Sequence, residues 1–352
     1  MHIAECTDQR QWDDYLASQR YRPFLQSWTM GEVYRDIGQK PVRLGMHDDK
    51  GLAGICQAIV VPARRGRHLA VSYGPVLSSH LSGISSQLFE ALRETAKEHQ
   101  CTFIRLSPFW PAADAPHISG SLPSPLHLLA EHLWYIPLKN PDAWHAPTPY
   151  PQHPSPSVSE DSILSSMRKT TRNLIRRAER DGVTIERSAD PVADLPAFIT
   201  LHDETRKRHG FTPYSNAFFE SQVKRFSARN ECTLYKAHFE GKIIAASIHM
   251  HAFAETSYHH GASTHAYAKI PASYLLQWTA IRDALRRGDR VYNFWGISPE
   301  GQRKHPFAGV RLFKTGFGGN LLELMHCVDV PVERSYYLTR GFETLRKWHR
   351  GF

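Results

Sequence analysis

Arg43-Leu44-Gly45-Met46-His47-Asp48-Asp49-Lys50-Gly51, followed by the apolar run 52–61 and by Ser72-Tyr73-Gly74, has a counterpart far down the chain. There, Leu234-Tyr235-Lys236-Ala237-His238-Phe239-Glu240-Gly241 leads into the apolar run 243–250 and then Tyr258-His259-His260-Gly261. Each block continues into a stretch of helical periodicity, 84–97 or 271–286, and into a strand that ends in Ser107-Pro108 or Ser298-Pro299. The pairs Gly51/Gly241, Gly74/Gly261 and Ser107/Ser298 lie 190, 187 and 191 residues apart. So steady an offset marks a duplicated unit. Antiparallel strands followed by a helix and another strand make an α+β order, distinct from the βαβαβ alternation of a dinucleotide-binding domain.

A chain of 352 residues has room for two such domains, and 41% hydrophobic with 22% charged residues is an ordinary globular composition. Wholesale disorder and disulfide-stapled miniproteins are thereby excluded. The net charge of +9 points to a phosphate-bearing partner or an anionic lipid surface. Cys6, Cys56, Cys101, Cys232 and Cys327 are odd in number and scattered, which fits a reducing cytoplasm and no zinc framework. Neither a signal peptide nor a membrane-spanning run is expected. The pairs His249/His251 and His259/His260 fall in strand-like segments with no convergent carboxylate, so no metal is expected there.

Prolines 137, 141, 147, 149, 151, 154 and 156 mark a linker between the copies. After it, Ser157-x-x-Glu160 matches a capping box. Ile163, Leu164, Met167, Thr171, Leu174, Ile175 and Ala178 then predict one long amphipathic helix up to Asp181-Gly182. Its polar face carries Arg168, Arg172, Arg176 and Arg180, like charges that repel unless an anion answers them. A solvated basic face and an RNA- or diphosphate-binding face are both compatible with that pattern.

Phe24-Leu25-Gln26-Ser27-Trp28-Thr29-Met30-Gly31-Glu32 resembles the opening motif of the Fem family of peptidoglycan interpeptide-bridge aminoacyltransferases. The resemblance continues through Thr171–Ala178 with Gly182-Val183, Glu204-Thr205-Arg206-x-Arg208-x-Gly210-Phe211 and Asn293-Phe294-Trp295-Gly296-Ile297. It closes with Gly309-Val310-Arg311-Leu312-Phe313-Lys314-x-Gly316-Phe317-Gly318-Gly319, so that the blocks stand in family order over nearly the whole chain. It implies an α+β fold of two tandem acetyltransferase-like (GNAT-like) domains. These are expected at 1–152, completed by 320–352, and at 153–319. The stretch between Gly182 and Phe211 is too short for the coiled-coil arm that some members carry.

The implied reaction moves an aminoacyl group from an aminoacyl-tRNA ester to an amine of a UDP- or lipid-linked muropeptide, without ATP, metal or other cofactor. A cytoplasmic monomer with peripheral contact to the inner membrane leaflet is the accompanying expectation. Lys314, with Phe313 beside it, is implied as the catalytic pair, the lysine neutralising the tetrahedral oxyanion. Arg208, Tyr214, Tyr258 and His260 are implied in substrate binding, and the Arg168/Arg172/Arg176/Arg180 face in tRNA binding. The chain departs from the family at Ser107, where many relatives place an acidic residue, and at Glu32-Val33-Tyr34, where some present a lysine. A peptide natural product as acceptor, an acyl-CoA-dependent N-acyltransferase and a non-catalytic RNA-binding descendant remain as alternatives. Against CoA stands the lack of a pyrophosphate-cradling Arg/Gln-x-x-Gly-x-Gly/Ala turn, both at Tyr267–Ser273 and at Ser79–Gly83.

Overall fold

The computed structural model describes residues 2–49, 51–63, 66–78, 86–140, 142–145, 158–209, 214–302 and 305–350. The chain divides into two compact units, Met1–Glu131 with Glu323–Phe352, and His132–Leu322. The first contains β1 (His2–Glu5), α1 (Gln9–Ser18), a 3-10 turn at Phe24–Gln26, α2 (Trp28–Asp36), β2 (Lys40–Asp48) and β3 (Gly51–Val61). It goes on through β4 (His68–Ser72), β5 (Val76–Leu77), α3 (Ser86–Glu98), β6 (Phe103–Ser107) and β7 (Leu122–Pro123). The second unit runs β8 (His132–Pro137), α4 (Glu160–Ser166), α5 (Lys169–Arg180), β9 (Thr184–Arg187), α6 (Pro191–His209), α7 (Asn216–Ser227) and β10 (Cys232–Phe239). Then come β11 (Lys242–Ala252), β12 (Glu255–Ser263), α8 (Ala272–Arg287), β13 (Val291–Gly296), α9 (Ala308–Thr315) and β14 (Asn320–Glu323). With β15 (Val328–Pro331) and α10 (Tyr336–Arg350) the chain is back in the first unit.

The two sheets are ordered β1-β2-β3-β4-β6-β15-β7, with β5 on β3, and β14-β8-β13-β12-β11-β10-β9. The repeat seen in the sequence is therefore β2-β3-β4-α3-β6 against β10-β11-β12-α8-β13. In the second copy the hairpin turn is Glu240-Gly241, both at positive φ (49° and 74°), the twist that a two-residue hairpin requires. Helix α8 buries Leu276, Ala280, Ile281 and Ala284 on its sheet, and α3 buries Leu88, Leu92 and Ala96 on the other. All five cysteines are buried and unpaired with one another. Among the described residues no helix is long and apolar enough to cross a membrane.

The division falls between Glu131 and His132, earlier than the expected 152/153, because β8 pairs antiparallel with β13 from Val291↔Pro137 to Gly296↔Leu133. Of the proline-rich stretch, Pro141 and residues 146–157 lie outside the described residues, as does Ser157 of the expected capping box. The cap is Ser159, whose Oγ accepts from the Ser162 amide at 3.1 Å.

The single long helix expected across 157–181 is two helices. Met167 and Arg168 are extended (ψ 148° and 142°), and the Arg168 amide donates to the Gly316 carbonyl at 2.9 Å instead of continuing the helix. Arg172 caps the break: Nη1 donates to the carbonyls of Leu164 (3.2 Å), Ser165 (3.3 Å) and Met167 at the end of α4.

The opening motif of the chain is an internal brace of the first unit. Gln26 is fully buried, and its side-chain amide stands in for a peptide group where β3 and β4 part. Nε2 donates to the carbonyls of Gln57 (3.0 Å) and Ser72 (2.8 Å), while Oε1 accepts the Gln57 amide (2.8 Å). Ser27 caps α2, accepting from the Met30 amide at 3.1 Å. Arg43 lies 3.7 Å over the Trp28 ring and pairs with Glu32 at 2.8 Å. A Cβ on Gly31 would come within 2.3 Å of Arg43 Nη2, so a side chain there would have to displace the Arg43 guanidinium.

Near the chain's return, Glu131 accepts from the Cys327 amide (2.8 Å) and lies 2.9 Å from Nδ1 of both His127 and His326. Burial would raise the Glu131 carboxyl, but these hydrogen bonds outweigh it and hold the group down at about 2.

Two stability measurements follow. Gln26→Leu strands three buried backbone groups and should lower the unfolding free energy by about 3 kcal/mol in urea titrations. Arg172→Ala, which uncaps α4, should cost about 1–2 kcal/mol, whereas Arg176→Ala, on the exposed face of α5, should stay within about 0.5 kcal/mol.

Candidate active site

The parallel pairs at the centres of the two sheets differ. In the first unit β4 and β6 are in register over all five residues, His68↔Phe103 to Ser72↔Ser107, and the Tyr73 amide extends the ladder to the Ser107 carbonyl at 2.8 Å. In the second, β12 and β13 are in register only from Glu255↔Val291 to Ser257↔Asn293. Beyond that point each strand turns away. Asn293 Oδ1 accepts the Trp295 amide at 2.8 Å, and Trp295 takes a left-handed conformation (φ 67°), which breaks the register of β13 with β8. On β12 a bulge between Ile248 and His249 of the neighbouring strand sets His249 opposite Tyr258 and Ile248 opposite His260.

Lys314 reaches the divergence from the last turn of α9. Its Nζ donates to the Gly296 carbonyl at 2.7 Å and lies 5.5 Å from the centre of the Tyr258 ring. The side chain is 8% exposed and makes no ion pair among the described residues; burial brings its ammonium down to about 7. A lysine kept dry beside a carbonyl and an aromatic face holds two further N–H donors for an incoming anion. Phe313, its neighbour, points elsewhere: it packs edge-on to Tyr274 (4.9 Å) and Phe317 (5.5 Å), so its visible part is to seat α9.

Tyr258 lies along its strand over Gly261, where an added Cβ would meet the hydroxyl at 1.8 Å. Its other face stacks on His249 at 5.3 Å, and burial raises its phenol to about 12. His249 Nε2 is 2.9 Å from the Tyr292 hydroxyl, which donates to Gln277 Oε1 at 2.6 Å; burial holds this imidazole at about 3 and therefore neutral. Lys314, Tyr258, His249, Tyr292 and Gln277 thus form one connected set.

The remaining implied substrate residues gather on the far half of β12. Arg208 is exposed near the end of α6 and donates to the Ser263 carbonyl at 3.4 Å. Tyr214, 45% exposed, stacks on Phe218 (4.3 Å) and meets the His260 ring edge-on at 5.6 Å. Gly210 and Phe211 of the same motif lie outside the described residues. His260 is buried, with Nε2 3.2 Å from Gln222 Oε1, and burial keeps it far below the ordinary imidazole range, where it is a poor proton acceptor at neutral pH.

The four arginines of the basic face do not act alike. Arg168 donates to the Leu312 carbonyl and to Thr315 Oγ1 (3.2 Å), so with the Arg168 amide on Gly316 it fixes the end of the helix that carries Lys314. Arg172 is committed to α4, and only Arg176 and Arg180 stand exposed with no such anchorage. Gly316 makes this junction possible: a Cβ there would fall 2.4 Å from Thr171 Oγ1 and 2.9 Å from Arg168 Nη2. Asn293 and Trp295, which set the Gly296 carbonyl, were present in the sequence only as part of a motif. Their local signal is the Asn-x-Trp-Gly turn itself.

Among the described residues one group could present metal-ligand atoms together, His127, Glu131 and His326, within 4.8 Å of one another and outside the set around Lys314. The sequence expectation had considered only the histidine pairs of β11 and β12.

Residues 7–121 match the FemAB family model, and residues 165–303 match the acetyltransferase (GNAT) domain model. Aminoacyltransferase FemA of Staphylococcus aureus (strain MRSA252) is 19% identical, over 92% of this chain and 96% of that protein. Aminoacyltransferase FemA of Staphylococcus epidermidis is 18% identical, over 96% and 97%. A crystal structure of FemX superposes with a TM-score of 0.78 at 17% identity, covering 97% of this chain and all of the other, and so shares the fold. With the FemAB model on residues 7–121 and FemA enzymes aligned along nearly its whole length, this chain is similar to the Fem-type family of aminoacyltransferases.

Proposed function

We propose that this aminoacyltransferase takes its aminoacyl group from aminoacyl-tRNA and adds it to an amine of the stem peptide of a UDP- or lipid-linked peptidoglycan precursor, working in the cytoplasm as a monomer. The observation that carries the reading is Lys314, buried with no carboxylate partner among the described residues at the point where β12 and β13 separate. The acceptor amine, once it has lost a proton, attacks the ester carbonyl. A C–N bond forms, the carbonyl oxygen becomes an alkoxide, and collapse breaks the C–O bond to the ribose 3′-oxygen, which takes up the proton that the new amide nitrogen gives up. The donor is already activated, so no ATP or metal is required. What the protein supplies is orientation and a preorganised positive charge.

Lys314 Nζ is held by Gly296 with donors to spare, and the approach of an alkoxide or a diphosphate favours its charged form. Tyr258 presents an aromatic wall beside it, and Arg208 with Tyr214 offers a charged and aromatic surface along the same strand for the nucleotide-linked peptide. Arg176 and Arg180 are the tRNA-facing cations of α5. Arg168 and Arg172 support that surface from within. Ser107 is buried in the fully paired β4–β6 ladder and is no base, which leaves water, substrate phosphate or another residue to take the proton of the ammonium.

The GNAT match keeps a CoA-dependent acyltransferase as the second reading. Helix α8 begins after Pro271, which has no N–H to offer a pyrophosphate and no side-chain cap. The counterpart turn at 79–83 lies outside the described residues.

Incubation of the protein with a pool of labelled aminoacyl-tRNAs and either UDP-MurNAc-pentapeptide or lipid II, followed by mass spectrometry, should give a stem peptide lengthened by an amino acid. Transfer from acetyl-CoA in place of aminoacyl-tRNA would replace this reading with the second.

For Lys314 the expected signature has three parts. Lys314→Met should lower kcat by about 10²–10³, equivalent to about 3–4 kcal/mol of lost oxyanion stabilisation, with little change in substrate affinity. In the free enzyme the charged form is lost as pH rises through about 7, so kcat/KM should show a descending limb there that Lys314→Arg displaces upward. The unfolded chain binds more protons than the folded one between about 7 and the ordinary lysine value near 10.4, so this lysine's contribution to stability rises with pH over that window. Removing it relieves that desolvation but takes the partner from the Gly296 carbonyl, so Tm at pH 7 should stay nearly unchanged. A variant that loses activity and also melts earlier would mark Lys314 as structural.

A further inference from the structure

We propose that α10 is a membrane-surface helix that seats the first unit on an anionic phospholipid bilayer. The proposal concerns a surface, not the transfer reaction, and holds whether the acceptor is soluble or lipid-linked.

Among the described residues nine large apolar side chains are exposed, and five of them, Tyr337, Leu338, Phe342, Leu345 and Trp348, stand on this one helix. Leu338 is 80%, Leu345 66% and Trp348 84% exposed, more than Val192, Tyr214, Phe307 or any other in that group. At 100° per residue the five fall within an arc of about 140°. The helix is thus turned inside out for a protein in water: its apolar face looks outward, while Tyr336 and Thr339 on the inner face are buried.

The inner face is firmly held, so the orientation is fixed by the fold. Arg105 of β6 binds Asp329 of β15 through two bonds of 2.7 and 2.9 Å and reaches Glu343 of α10 at 2.6 Å, while the Tyr336 hydroxyl donates to the same aspartate at 3.0 Å. Arg340 is tied to the Pro123 carbonyl at 2.7 Å. Rotating α10 to hide its apolar stripe would break this buried ion cluster.

Charge selects the occupant. Glu343 is the one carboxylate in α10, and Arg105 consumes it. Around the helix Arg346 borders one edge of the apolar arc and exposed Arg334 stands just before the first turn, while Lys347 and the tied Arg340 lie toward the inner side. An apolar arc with an interfacial tryptophan and cations beside it suits a bilayer, where the ring and leucines enter the acyl boundary and long basic side chains reach up to phosphate. A second copy of the chain would set cation against cation.

The test is co-sedimentation of the full chain with vesicles of phosphatidylglycerol in phosphatidylcholine, beside vesicles of phosphatidylcholine alone. Binding should require the anionic lipid and weaken with salt. The triple substitution Leu338→Ser, Leu345→Ser and Trp348→Ser touches only exposed side chains and should reduce binding at least about tenfold with Tm unchanged. Arg346→Glu with Lys347→Glu should do the same by charge. Transfer to a soluble acceptor should survive the triple substitution, which separates failure here from failure of the proposed reaction. No binding of the native chain to phosphatidylglycerol vesicles, binding untouched by the triple substitution, or a solution dimer that the triple substitution dissociates would each overturn the proposal.

Discussion

The separation of β12 from β13 after Ser257 and Asn293 is the constraint on which the rest of the second unit turns. A parallel pair that stops after three residues leaves backbone groups that the sheet no longer satisfies, and buried backbone polar groups must find partners. The Gly296 carbonyl finds one in Lys314. That single bond explains why a lysine is tolerated in an aromatic surrounding: Nζ satisfies a carbonyl that would otherwise be stranded, and the carbonyl in turn holds the ammonium in place. The cost is desolvation of a cation, and it appears as the lowered lysine value.

The two copies of the repeat open their sheets at different places and fill the openings with different side chains. In the first unit the sheet parts between β3 and β4, and the Gln26 amide, a neutral group with matched donors and acceptor, closes the gap completely. In the second the gap lies between β12 and β13 and is met by a cation that keeps spare donors. A neutral amide that is fully satisfied has nothing left for a ligand; a charged group that is half satisfied does. The physical difference between the two side chains is the reason the reading proposed above places an anion at Lys314 and not at Gln26.

Much of the fold was legible because its signals are local. Glu240-Gly241 announces a hairpin, the apolar runs at 52–61 and 243–250 announce central strands, and the near-constant offset between the copies announces duplication. The break between α4 and α5 was not legible. The apolar spacing runs through Met167 without interruption, and what ends the helix is a hydrogen bond from the Arg168 amide to the Gly316 carbonyl, a partner 148 residues away. The domain boundary failed for a similar reason, since β8 is claimed by β13 across more than 150 residues of chain. In the site, Lys314 stood out because a charged residue between Leu312-Phe313 and Gly316-Phe317 violates the local pattern. His260 did not reveal its burial, and the arginine stripe did not reveal that half of it is spent on carbonyls.

That division of the arginines bears on how charge and catalysis are joined. A formal count of four like charges on α5 suggests an electrostatic surface, yet Arg168 and Arg172 neutralise nothing and repel little, because helix-end carbonyls of α9 and α4 receive them. Their effect is positional: Arg168 holds the turn at Leu312–Gly316 from which Lys314 projects, and Gly316 lets α5 come close enough to do so. A polyanion drawn to exposed Arg176 and Arg180 would therefore lie on a helix whose first arginine, Arg168, grips the lysine-bearing segment. The exposed basic face of α5 and the buried lysine of α9 thus share one junction, and a displacement of α5 would be felt at the end of α9.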